Sequence, residues 1–127
     1  MIGTEVALYL VSRARIARLK KTIMFSSLPR VHEFVKVRNR KQGDYFAFMV
    51  AQVTHREGDS PVLWLHMTGL SNGRSVVCFF DDSELDEYVV GYQQEGWVLA
   101  SLLPNRTFRD TGESIWSELP DADSDSA

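Results

Sequence analysis

The chain has a single cysteine, Cys78, set between Val77 and Phe79 in an apolar run. One thiol closes no disulfide within the chain and builds no thiolate zinc site, so Cys78 reads as a buried thiol in a reducing compartment. Near the start, the apolar stretch Val6 to Val11 is six residues long, too short to span a bilayer. It follows Glu5 and runs into Arg13, Arg15 and Arg18, the wrong charge order for a signal peptide. A cytoplasmic protein without membrane association is the expectation. The motifs of common chemistries are also missing: no His-Glu-x-x-His, no Cys-x-x-Cys, no Gly-x-Ser-x-Gly elbow and no Gly-rich phosphate loop before a helix. The sequence predicts no enzyme, no metal and no cofactor.

What is present suits one ordinary domain. The 127 residues are 44% hydrophobic and 11% aromatic, enough to build a core without staples. The net charge of -3 conceals a polarity. Residues 1–42 carry ten Lys or Arg against two Glu, a net of +8, and the remainder carries four against fifteen, a net of -11. Such halves either neutralise one another across the fold or face outward as two patches.

Turn signals divide the chain. Thr22 to Leu28 is a β-branched and aromatic run stopped by Pro29, and Glu33 to Arg38 is a second strand before the polar stretch Asn39 to Asp44. Tyr45 to His55 and Pro61 to Thr68 flank the turn at 57–60, and Asn72-Gly73 leads into Arg74 to Phe80, which together predict a three-stranded antiparallel meander. If Arg56 pairs with Pro61, then Ala51, Val53 and His55 share a face with Val62, Trp64 and His66, and both sheet faces are apolar. Such a sheet is covered on both sides or curled. A helix over about 83–94 starts in acidic residues and repeats Leu85, Tyr88, Val89 and Tyr92. Gly96 stops it, and Trp97 to Leu103 is a closing strand before Pro104. For the segment 1–21 a helix from about Thr4 to about Lys20, or poor order, is expected.

The expected fold class is therefore α+β, an antiparallel meander or small partly closed barrel of five to six strands with one helix and a second at the N-terminus. Its parts are the basic segment 1–21, a single domain over 22–109 and an acidic tail over 110–127. A short anchoring turn at Ile115, Trp116 and Leu119 is expected in that tail.

Pro29-Arg30-Val31-His32-Glu33-Phe34-Val35-Lys36-Val37 resembles the opening strand of small SH3-like barrels, in which Pro, two residues, Gly, an acid and alternating apolar residues recur. His32 stands at the Gly position. Residues 84–104, a helix followed by Glu95-Gly96-Trp97 and a strand, are similar to small uncharacterised bacterial domains of that pattern. Neither resemblance implies a catalytic residue.

Two constellations carry the functional expectations. Asp82, Glu84, Asp86 and Glu87 at the helix start complement free amides and the helix dipole, or present an acidic face to a protein with a basic surface. Arg38, Arg40 and Lys41, followed by Tyr45, Phe46 and Phe48, form a solvated loop, or neutralise phosphates while an exposed aromatic stacks a base. His55 and His66, roughly 13 Å apart at strand rise, are too distant to chelate one ion. Asp121, Asp123 and Asp125 lack the Gly and terminal Glu of a calcium loop. The leading expectation is a non-catalytic protein-binding module, such as an immunity, inhibitor or mobile-element accessory protein. The alternative is a small barrel that binds RNA or DNA.

Overall fold

A computed structural model describes residues 1–71, 74–77 and 79–105, with the backbone alone for 68–79. The calls on Cys78, the Asn72-Gly73 turn, the anchoring turn and the acidic tail lie outside the described residues. The stretch expected to be helical is a β-hairpin. β1 (Ile2–Ser12) and β2 (Arg15–Phe25) pair antiparallel from Ile2 with Phe25 to Val11 with Ile16. Residues 6 to 11 of β1 are all buried, and a strand buried on both faces shows no alternation to separate it from a helix.

β3 (Phe34–Arg38), β4 (Tyr45–Thr54) and β5 (Val62–His66) form an antiparallel meander, and β5 then lies parallel to β1, Glu5 opposite Val62 and Tyr9 opposite His66. The chain leaves this line for the two-stranded hairpin of β6 (Thr68–Ser71) and β7 (Arg74–Val77). It returns as β8 (Phe79–Phe80), parallel to β1 at Val11 and Ser12. The meander expected over 45–80 thus keeps its first two strands; of its third, Arg74–Val77 belongs to a separate ribbon and Phe79–Phe80 joins β1. α1 (Asp82–Gln94) crosses to β9 (Val98–Pro104), antiparallel to β2. Since β9 and β8 are each related to β1 in the parallel sense, β8, α1 and β9 form a split βαβ unit with β1 and β2 between its strands.

The molecule is mostly β, with one helix among the described residues and a six-stranded mixed sheet in the order β3-β4-β5-β1-β2-β9, β8 extending the line of β5. Among those residues the sheet is open: its ends, β3 and β9, do not meet. No described helix is long and apolar enough to cross a membrane.

The expected β4–β5 register is off by one next to the turn and by two beyond an irregularity. Thr54 faces Val62 and Gln52 faces Trp64, and an irregularity between Val50 and Gln52 then brings Met49 opposite His66. A one-residue slip exchanges the faces of the β4 residues next to the turn; His55 lies beyond the strand and exposed, and His66 is 2% exposed.

On the helix side, Val6, Leu8, Leu10 and Leu19 pack with Phe48, Leu63 and Leu65 beneath Leu85, Val89 and Tyr92 of α1. Tyr92 meets Phe48 and Trp97 edge to face, with centroids 6.2 and 6.3 Å apart. On the other side a second buried cluster joins Ala7, Tyr9, Val11, Ile16, Val62 and Trp64. Arg18 and His66, on this face by register with Tyr9, are buried beside it. His32 takes φ 75°, where glycine is the unstrained residue.

Burial pushes the His66 imidazole from its usual 6.5 down to about 3. Between those values the unfolded chain takes up a proton that the native chain refuses, so stability falls as pH drops through this window. Denaturant titration from pH 6.5 to 4.5 should show a slope of up to about 1.4 kcal/mol per pH unit that is missing in His66→Gln. Equal slopes in both chains would mean that His66 protonates freely in the native state.

Candidate functional site

Ser12 and Arg15 flank the turn between β1 and β2, and Arg15 faces the start of α1. Its Nε donates to Asp82 Oδ1 at 2.8 Å, Nη1 to Asp86 Oδ1 at 2.9 Å, and Nη2 to Asp86 Oδ2 at 3.1 Å and the Asp82 carbonyl at 2.9 Å. The Ser12 hydroxyl donates to the same Asp82 Oδ1 at 2.8 Å. Asp82 and Asp86 stand one helical turn apart, a spacing that suits a planar fork of donors. Hydrogen bonds first to Asp86 and then to Asp82 hold the guanidinium firmly protonated. Arg15, with help from Ser12, keeps the Asp82 carboxyl below the usual carboxylate range. The basic front and acidic back therefore join here, and again where Arg40 Nε meets Glu95 Oε2 at 3.3 Å.

The four acidic residues singled out in the sequence split into two pairs. Asp82 and Asp86 serve the Arg15 clamp, although both stay partly solvated at 49% and 65% side-chain exposure. Glu84 and Glu87 face solvent with exposed Val90 on the same helix. The Glu84 carboxyl is pushed up, first by its hydrogen bond with the Asp81 carboxyl, then by lost hydration and the charges of Asp81 and Glu87. The N-cap Asp81 makes no side-chain cap bond; its carbonyl takes the amides of Glu84 and Leu85.

Arg38, Arg40, Lys41 and Tyr45 come together around the β3–β4 loop. The Arg38 guanidinium lies 4.6 Å from the Tyr45 ring centroid, and its Nε is 3.2 Å from Asp44 Oδ1. Tyr45 is 51% exposed, whereas Phe46 and Phe48 turn to the core side. Register adds two residues that the sequence reading passed over. Arg38 opposes Tyr45, Lys36 opposes Ala47 and Phe34 opposes Met49, so Phe34 and Lys36 share the Arg38–Tyr45 face. Phe34 is 60% exposed. The signal for them was the alternation of Phe34, Lys36 and Arg38 within β3.

The loop is fastened to α1. Asn39, fully buried, donates from Nδ2 to the Tyr88 carbonyl at 3.4 Å, and the Arg40 amide donates to Glu95 Oε2 at 3.0 Å. A Cβ on Gly91 would collide with the side-chain amides of Asn39 and Gln42. The glycine thus opens the helix surface to the loop.

A third feature lies at the far sheet edge. β2 continues to Phe25, but β9 pairs with it only from Arg15 to Lys20, and this overhang borders a hollow of about 520 Å³. Glu5, Lys20, Lys21, Thr22, Gly96 and Val98 line it. Among the described residues no three His, Cys, Asp or Glu side chains are grouped to hold a metal ion.

Two outcomes follow. The clamp's contribution through Asp82, whose native carboxyl lies below the usual 3.8, is intact above that pH and fades as pH falls through the lower native value. Acid unfolding below pH 3.8 should therefore be shallower in Arg15→Ala than in the natural chain, and identical acid limbs would exclude a coupled pair. Gly91→Ala, a change that ordinarily favours a helix by about 1 kcal/mol, should destabilise by about 1–2 kcal/mol through overpacking. A rise in melting temperature would show that the loop does not dock there.

The chain matches no protein-family model, no curated protein and no solved structure, and its function is read from these surfaces.

Proposed function

We propose that the chain is a non-catalytic protein-binding module, of the kind that serves as an immunity, inhibitor or mobile-element accessory protein. The observation that carries this reading is the contrast between the two sheet edges. β3 bears Lys36 and Arg38, the kind of charges that discourage edge-to-edge pairing. β9, Val98-Leu99-Ala100-Ser101-Leu102-Leu103-Pro104, bears no charge, and Val98 and Leu102 are 66% and 41% exposed. Among the described residues no strand covers the outer side of β9, and an apolar edge of that kind offers main-chain donors and acceptors to an added strand. A partner with a basic surface, the expectation from the acidic balance, would meet Glu84 and Glu87 around Val90, the part of the acidic face that Arg15 leaves open.

A second reading is favoured by one observation, the Arg38–Tyr45 stack beside exposed Phe34 and Lys36. Cations interleaved with exposed rings on a sheet face suit single-stranded RNA or DNA, the rings stacking bases and the cations meeting phosphates.

Affinity capture from native lysate with three baits separates the two. Under the protein-binding reading, Val98→Lys/Leu102→Lys loses a discrete protein by about tenfold or more, a change of about 1.4 kcal/mol. Arg38→Ala/Tyr45→Ala retains it, and nuclease has no effect. Capture that nuclease abolishes, or that depends on Arg38 and Tyr45 but not on the edge, overturns that reading in favour of nucleic acid.

A further inference from the structure

The strip of sheet formed by β3 and the start of β4 carries rings and cations at a regular interval. On its inner side Val35, Val37, Phe46 and Phe48 join the cluster under α1. On its outer side the register sets three cross-strand pairs in line: Phe34 with Met49, Lys36 with Ala47, and Arg38 with Tyr45. Rows on one face follow at two-residue steps of roughly 6–7 Å, so Phe34 and the Arg38–Tyr45 stack stand roughly 13 Å apart along the strands. Both ends are open to solvent, Phe34 at 60% and Tyr45 at 51% exposure. Between them Ala47 leaves a low floor, exposed like Lys36 beside it.

The charges on the strip are not all spent within the fold. Arg38 meets Asp44, and Arg40 is engaged by Glu95. Lys36 and Lys41 make no ion pair among the described residues, and both are exposed. The local field is therefore positive although the chain as a whole is acidic. Asn39 and Glu95 fasten the loop to α1, which holds the Arg38–Tyr45 end in place before any ligand arrives.

We infer that this strip binds a single strand of nucleic acid without regard to base sequence, over a footprint of about three nucleotides. The first base stacks on Phe34 and the third on the Arg38–Tyr45 stack, while the nucleotide between them spans Ala47 with its phosphate at Lys36. An extended single strand repeats at about the two-residue step of a β-strand, which sets this count. No carboxamide or carboxylate stands on the strip to read a base edge, and Arg38 is already held by Tyr45 and Asp44. A duplex keeps its bases stacked on one another and offers no free ring face to Phe34. The inference deepens the second reading and rests on it. A protein partner at β9 does not compete, because β9 lies at the other end of the sheet.

Anisotropy of labelled oligothymidylate and oligouridylate, each about twelve nucleotides long, and of a duplex of the same length tests this with the full chain. Both single strands should bind at low salt, and the duplex far more weakly. Phe34→Ala should weaken the single strands by about tenfold or more. Phe34→Trp should restore them, whereas Phe34→Leu, which keeps an apolar surface but no ring, should not. Lys36→Gln should lower the slope of log affinity against log salt by about 0.7. In amide-shift titrations with thymidine trinucleotides, removal of the middle base should cost less affinity than removal of either end base. Binding that ignores Phe34, that is equal for duplex and single strand, or that needs the middle base as much as the ends overturns the inference and leaves the second reading standing. No binding of either single strand at low salt removes the second reading itself. Capture of a nuclease-resistant protein that Phe34→Ala abolishes assigns the strip to a protein and overturns the inference as well.

Discussion

Every other part of the structure is placed by the burial of β1 on both faces. Val6, Leu8 and Leu10 point to the helix side and Ala7, Tyr9 and Val11 to the other, none more than 1% exposed. At about 2 kcal/mol for each large aliphatic side chain, Val6, Leu8, Leu10 and Val11 contribute roughly 8 kcal/mol, comparable with the whole net stability of a domain, about 5–15 kcal/mol. A strand with that demand cannot sit at an edge. β2 flanks it on one side, and the line of β5 and β8 flanks it on the other. The parallel pairing with β5 and β8 has no hairpin solution, which makes the long return through β3, β4 and the split βαβ unit a consequence of where β1 must lie.

The helix that covers the inner side of β1 is held at both ends by groups of opposite charge. At its start, Arg15 gathers Asp82 and Asp86; at its end, the Arg40 amide and guanidinium meet Glu95, and Lys21 donates to the Glu95 carbonyl. These pairs are solvated, so each contributes little energy by itself. Their geometric effect is larger, because they fix the rotation of α1 that puts Leu85, Val89 and Tyr92 downward. Tyr92 then closes the core between Phe48 and Trp97, and burial keeps its phenol protonated well above the usual range.

What could be read from the sequence followed the strength of local punctuation. The helix was legible because an acidic start, a 3.6-residue repeat and Gly96 all agreed, and the Glu33–Arg38 strand and the closing strand were legible from Pro and Gly boundaries. The N-terminal hairpin was not, because a fully buried strand loses the alternation that identifies strands and Arg18 is buried against expectation. The β4–β5 register escaped for a different reason. Counting back from a turn assumes an uninterrupted ladder, and the irregularity between Val50 and Gln52 shifts every residue beyond it. Of the basic constellation, Arg38 stacks on Tyr45 while Arg40 is engaged by Glu95, and register adds Phe34 and Lys36 to the Arg38–Tyr45 face. The acidic one divided, since the partner of Asp82 and Asp86 is Arg15, nearly seventy residues away in the chain.

The same geometry explains why the two sheet edges differ. β3 belongs to a meander whose outer face is solvated, so alternation puts Lys36 and Arg38 on it and guards the edge without further cost. β9 is the exit strand of the split βαβ unit and must pack Leu99 against the core while following β2 from Leu19 to Arg15. Its own Ser101 and the facing Arg18 are buried on the other face, while Val98 and Leu102 remain exposed. Charge that would guard this edge is displaced to β2, where Lys20 and Lys21 flank the hollow rather than the strand itself. Among the described residues no strand pairs with β9 on the side away from β2.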